Sequence, residues 1–290
     1  MLVDQRGSRP GHRVTVLGSF TATAVTGAGH GEAVSLGVDA RRVVAYLAVH
    51  RRPQRRAELA ADLWPGEAFP DGLLDDATAE AAGLLEERAD GMLALDPAVR
   101  VDLDEAMALV RELADAAGRP GVPADLPRAT ALLAADVLPG EPAPWLAVER
   151  ERFRQIRLNA MEELSAALSA AGRHAEAVAM ADDAVRTAPS RESARRALIE
   201  AHLAQGEIAE AVAQYDEYQE LLRSSVGAPF GSGLDAAFGR DGLLPPVPAW
   251  PVLRVRRSMQ RVGMSPPGFR AARGGARRLV AGGSVPGATR

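Results

Sequence analysis

The chain has 290 residues, 47% hydrophobic and 25% charged, which gives apolar material for two modest domains. It contains no cysteine, so disulfides, thiolate catalysis and cysteine-ligated zinc or iron–sulfur sites are excluded. Net charge is −4, and all 34 basic residues are arginine, so no lysine is present to reach a phosphate.

The charge is unevenly spread. Residues 1–60 carry nine arginines against four acids (+5), and 61–160 carry nine against twenty (−11). Residues 161–240 give −6 and 241–290 give +8, so two basic segments bracket an acidic middle. The N-terminal "MLVDQRGSRPGHRV" lacks the apolar core of a signal peptide, and no run of about 18 apolar residues occurs. A cytoplasmic protein with no membrane partner is expected.

The segment "VTVLGSF" (14–20) reads as a strand, and "GAGHG" (27–31) as a hairpin turn leading into "EAVSLG". No helix follows Gly27 and Gly29 closely enough for a nucleotide loop. Apolar Val43, Val44, Leu47 and Ala48 predict a helix over 39–52, with Asp39 as N-cap and Pro53 ending it. Leu59, Leu63 and Trp64 predict a second over 55–64, closed by Pro65 and Gly66, and a third follows over 71–82. Then "LLEE", "RADG" and "MLALD" read as two strands around an Asp-Gly turn, in the position of a wing. This order predicts an α+β winged helix-turn-helix domain over 13–103.

Beyond residue 99 the periodicity is helical, interrupted by a linker at "GRPGVPADLP" (118–127). "AGRHAEAV" (171–178) and "QGEIAEAV" (205–212) repeat with an offset of 34, the tetratricopeptide period. Small Ala177, Ala184 and Ala211 allow close helix approach, Pro189 closes the first unit, and Tyr215 and Tyr218 line the second. Two such units bury too little surface alone, so helices over 128–137 and 145–160 are expected to cap them. The prediction is an all-α tetratricopeptide-like domain over 104–240, then a disordered basic tail over 241–290 that holds DNA without sequence preference, folds back on the acidic third helix, or is an inert extension.

Catalytic, cofactor-binding and metal-binding sites are not expected. The five histidines show no ligand spacing, no G-x-S-x-G occurs, and His174 and His202 read as packing groups. Glu162/Glu163 and Asp182/Asp183, adjacent in sequence, are expected to meet solvent. Trp145, Val148, Phe153, Ile156 and Leu164 form an apolar stripe expected to pack on the first repeat.

The order of elements, together with "VTVLGSF", "RRVVAYLAVHRRPQRRAELAADLWP", "LLAADVLPGEPAPWLAVERERFRQ" and "RESARRALIEAHL", resembles the antibiotic regulatory proteins of actinobacteria, the SARP-type regulators. In that family a winged helix precedes a bacterial transcriptional activator domain. The resemblance implies promoter binding in the major groove through the third helix, and contact of the helical domain with RNA polymerase, another protein or a second copy. It spans most of residues 13–238 and lacks the nucleotide-hydrolysing domain of larger members.

The third helix departs from the family pattern. Where arginine, asparagine or serine is usual it offers Asp71, Leu73, Leu74, Asp75, Asp76, Thr78 and Glu80, so Thr78 is the only base-reading candidate. At about 8 Å in water each carboxylate–phosphate pair costs near 0.5 kcal/mol before screening. Phosphate contacts are left to Arg41, Arg42, Arg51, Arg52, Arg55, Arg56 and Arg88. Two expectations follow: a SARP-type regulator binding duplex DNA, or a protein-interaction adaptor whose winged helix no longer reads DNA.

Overall fold

A computed structural model describes residues 11–25, 31–115 and 121–226. The turn expected at 27–31, most of the linker's first half and the basic tail therefore lie largely or wholly outside the described residues.

The N-terminal strands β1 (Gly11–Thr15), β2 (Thr21–Val25) and β3 (Gly31–Ala33) pair antiparallel in sequence order. A fourth strand, β7 (Arg100–Val101), joins β1 in parallel, giving the order β3-β2-β1-β7. Between them come α1 (Val38–His50), β4 (Gln54–Arg55), α2 (Arg56–Leu63) and α3 (Pro70–Glu80). The hairpin of β5 (Leu85–Glu87) and β6 (Met92–Leu95) follows, with β4 completing a sheet of order β4-β6-β5.

Asp39 is not the N-cap of α1. Gly37 holds that position, and its N–H is satisfied by Glu80 of α3 at 2.6 Å. Asp39 instead accepts the indole N–H of Trp64 at 3.0 Å. The helix ends at His50, before Pro53 is reached, because Arg51 turns left-handed (φ 52) and returns its N–H to Leu47.

The remaining helices are α4 (Asp102–Asp115), α5 (Leu126–Ala134), α6 (Pro144–Ala170), α7 (His174–Thr187), α8 (Glu192–Gln205) and α9 (Ile208–Val226). Helices α7 and α9 start 34 residues apart, each just after a left-handed glycine, Gly172 (φ 75) and Gly206 (φ 87). At matching positions Ala177 and Ala211 are fully buried. A longer side chain at either would push its neighbour away.

Two corrections concern α6. Val148 does not belong to a buried stripe: it is 72% exposed, whereas Phe153 and Leu164 are buried. Glu162 is not a solvated partner of Glu163, since its carboxylate accepts from Arg191 at 2.7 Å and Ser193 at 2.9 Å.

The strand-bearing half and the helices share one core. Leu132, Val137, Leu138, Leu146 and Phe153 pack with Val14, Val44 and Leu47 in a single apolar cluster. Backbone pairing reinforces it: Gly18 N–H meets Asp136 at 2.7 Å, and Leu138 N–H meets Val16 at 2.9 Å. Buried Asp102, at the start of α4, accepts the N–H groups of Val16 and Leu17 at 2.8 and 3.1 Å. Arg150 holds the other side of this connection through the carbonyls of Val137, Leu138 and Glu141.

Candidate nucleic-acid interface

Helix α3 packs on α1 and α2 by burying Leu74, Ala77 and, just past its end, Ala81. That spacing turns residues 71, 72, 75, 76 and 79 outward, so the solvent side of the helix carries Asp71, Asp75 and Asp76 with Gly72 and Ala79. No hydrogen-bond donor side chain stands among them. Thr78 is half-buried, and its hydroxyl donates to the carbonyl of Asp75 in its own helix at 3.0 Å. Glu80 is committed to Gly37.

The candidate phosphate contacts divide into two groups. Arg41 pairs with Glu141 in the connection ahead of α6, and Arg51 pairs with Asp104 of α4 at 2.8 Å, so both face the helical half. Burial raises the Asp104 pKa above the usual carboxylate range, and the Arg51 guanidinium opposes that shift. Arg56 is held by Asp75 and lies 3.9 Å from Glu87 of the hairpin. Arg42 reaches Asp39 at 3.3 Å and Arg55 reaches Glu58 at 3.8 Å, both local and exposed pairs. Arg52 and Arg88 are exposed and form no ion pair among the described residues.

The structure thus brings Arg52, Arg55 and Arg56 together around β4 and the start of α2, and places Arg88 in the turn of the β5–β6 hairpin. It directs Arg41 and Arg51 elsewhere. The sequence did not mark the groups that make the joint: Asp102, Arg150, Arg157 and the tilted contacts of Trp145 with Tyr46 (ring centroids 4.8 Å apart) and His50 (5.6 Å). Burial, together with the hydrogen bond to Asp62, pushes the Tyr46 hydroxyl far above its ordinary range. Among the described residues no cluster of three acidic or histidine side chains could hold a metal ion, and no helix is long and apolar enough to cross a membrane.

Residues 101–239 match the bacterial transcriptional activator domain. Mycobacterium tuberculosis EmbR, solved in complex with a low-affinity phosphopeptide, is similar in structure, with a TM-score of 0.59 and 19% identity. The chain therefore carries a bacterial transcriptional activator domain over 101–239 and shares the fold of EmbR. The similarity to EmbR covers 78% of this chain and 64% of that one, so the chain spans less than two thirds of its structural relative. No curated protein matches it.

Proposed function

We propose that the chain is a SARP-type transcriptional regulator that holds duplex DNA through phosphates alone and takes its choice of promoter from a protein bound to its helical half. In this reading α1–α3 and the β5–β6 hairpin work as a winged helix-turn-helix domain over 13–103, and α4–α9 belong to a tetratricopeptide-like domain over 104–240. The observation that carries it is the outward side of α3, which presents Asp71, Asp75 and Asp76 and no donor for a base edge. Bidentate readout of guanine or adenine needs such donors and is worth about 1–3 kcal/mol per pair. A carboxylate can accept only from an amino group such as cytosine N4, while it repels the flanking phosphates.

Arg52, Arg55 and Arg88 supply the phosphate contacts. Arg41, Arg51 and Arg56 would have to leave carboxylates first. The partner on the helical side is a component of the transcription machinery such as RNA polymerase, or a second copy of the chain. Exposed Ile208 and Val212, one turn apart on α9, support a docking role there. The protein acts in the cytoplasm, at the nucleoid when DNA is held.

A second reading, an adaptor that holds no DNA, is favoured by the three arginines already neutralised inside the molecule. Replacing Asp71, Asp75 and Asp76 by asparagine separates the two. Removing three unfavourable pairs of about 0.5 kcal/mol each should raise affinity for a random duplex by about tenfold. No duplex binding by this variant, even at low salt, would contradict phosphate contact and leave the adaptor.

A further inference from the structure

A cavity of about 110 Å³ lies between α1, α2 and the connection that leads into α6. Its lining includes the rings of Phe20 and Trp145 and four charged side chains, Arg41, Arg42, Asp62 and Glu141. A dry cavity of roughly 150 Å³ accepts benzene, so this space suits about one aromatic ring, with the rest of a ligand at its open mouth. Two cations and two anions cancel, so a ligand carrying a net charge of either sign would meet an equal opposing charge.

The four charges are not equally available. Arg41 and Glu141 satisfy one another across the joint. Among the described residues Arg42 has only an exposed partner one turn back, Asp39 at 3.3 Å, and Asp39 is already engaged by Trp64. Asp62 uses Oδ2 for the Tyr46 hydroxyl at 2.6 Å, and its Oδ1 accepts from none of the described residues. One donor on α1 and one acceptor on α2 therefore remain beside two aromatic faces.

We propose that this cavity binds a small zwitterion bearing one aromatic ring, of the aromatic amino acid class. Its carboxylate pairs with Arg42, its ammonium with Asp62 Oδ1, and its ring lies against Trp145 and Phe20. Because Arg42 and Asp62 belong to the strand-bearing half and Trp145 begins α6, such a ligand ties the two parts of the molecule together. The site is independent of any DNA contact, since none of its groups belongs to the outward side of α3 or to the hairpin.

The test is calorimetric titration of the full chain with L-phenylalanine, L-tyrosine and L-tryptophan, with amide peak shifts mapped in parallel. At least one should bind saturably and shift the amides of Arg42, Asp62 and Trp145. Its analogues lacking either the ammonium or the carboxylate should bind about tenfold more weakly, the loss of one charge-assisted contact. Arg42→Gln and Asp62→Asn should each weaken binding similarly, and Asp62→Asn still accepts from Tyr46, so the fold is retained. Absence of saturable binding by all three up to about 10 mM, or equal binding of the single-charge analogues, would overturn the assignment.

Discussion

Glu80 of α3 accepts the backbone N–H of Gly37 at 2.6 Å, so an acid expected to face a DNA groove instead caps the first turn of α1. The arrangement does for α1 what a capping-box glutamate does from within its own helix, and it places negative charge at the positive end of the helix dipole. Glu80→Ala should cost about 1 kcal/mol in urea denaturation, with Glu80→Gln recovering most of it.

Asp102 joins the two parts of the molecule through the N–H groups of Val16 and Leu17. Asp102→Ala leaves two donors without their acceptor and should cost about 2–3 kcal/mol. Burial raises the carboxyl's pKa, against the lowering effect of those N–H groups. A raised folded-state value means the native form binds the proton more tightly. The stability from this group is therefore complete below the unfolded pKa and declines as pH rises through the folded one. Stability measured against pH should show this decline in the wild type and lose it in Asp102→Asn.

Arg157, 4% exposed, donates to the carbonyls of Leu133, Ala134 and Ala135 at 3.2, 2.8 and 2.9 Å, closing the C-terminus of α5. Burial lowers its pKa, with Asp136 opposing that shift. Arg157→Ala should cost about 3 kcal/mol, and Arg157→Lys should recover under half, because an ammonium lacks the planar fork. Chemical denaturation of both variants checks the order.

Leu146 of α6 is fully buried in the cluster that also holds Val14 and Leu47. Leu146→Ala should cost about 2–5 kcal/mol. It should shift the aromatic signal of Tyr46 and Trp145 and the helical signal to the same lower melting temperature. Two separated transitions in the wild type would contradict a shared core.

Much of this architecture was legible in the sequence. The 34-residue offset located α7 and α9 because the turn before each requires a left-handed residue, and glycine meets that need at 172 and 206. The family pattern pointed to the acids of α3, but it also put Leu74 and Glu80 on the groove side, where the structure buries the first and ties the second to Gly37. The two-residue strands β4 and β7 left no signal, being too short to show alternation. Glu80, Asp102 and Arg157 could not be read either, because each meets backbone groups at least 22 residues away, and backbone partners leave no trace in composition. The same holds for Arg41 and Arg51, whose carboxylates come from chain 100 and 53 residues on.

In the proposed function α3 does not read bases. Fluorescence anisotropy of the full chain on DNA from upstream of its own gene, against a shuffled duplex of equal length, tests it most directly across a salt series. Equal affinities are predicted for both duplexes, with log K falling against log salt at a slope near −3, the value for about three phosphate contacts. A preference of about a thousandfold or more for the upstream duplex, surviving in high salt, would contradict it.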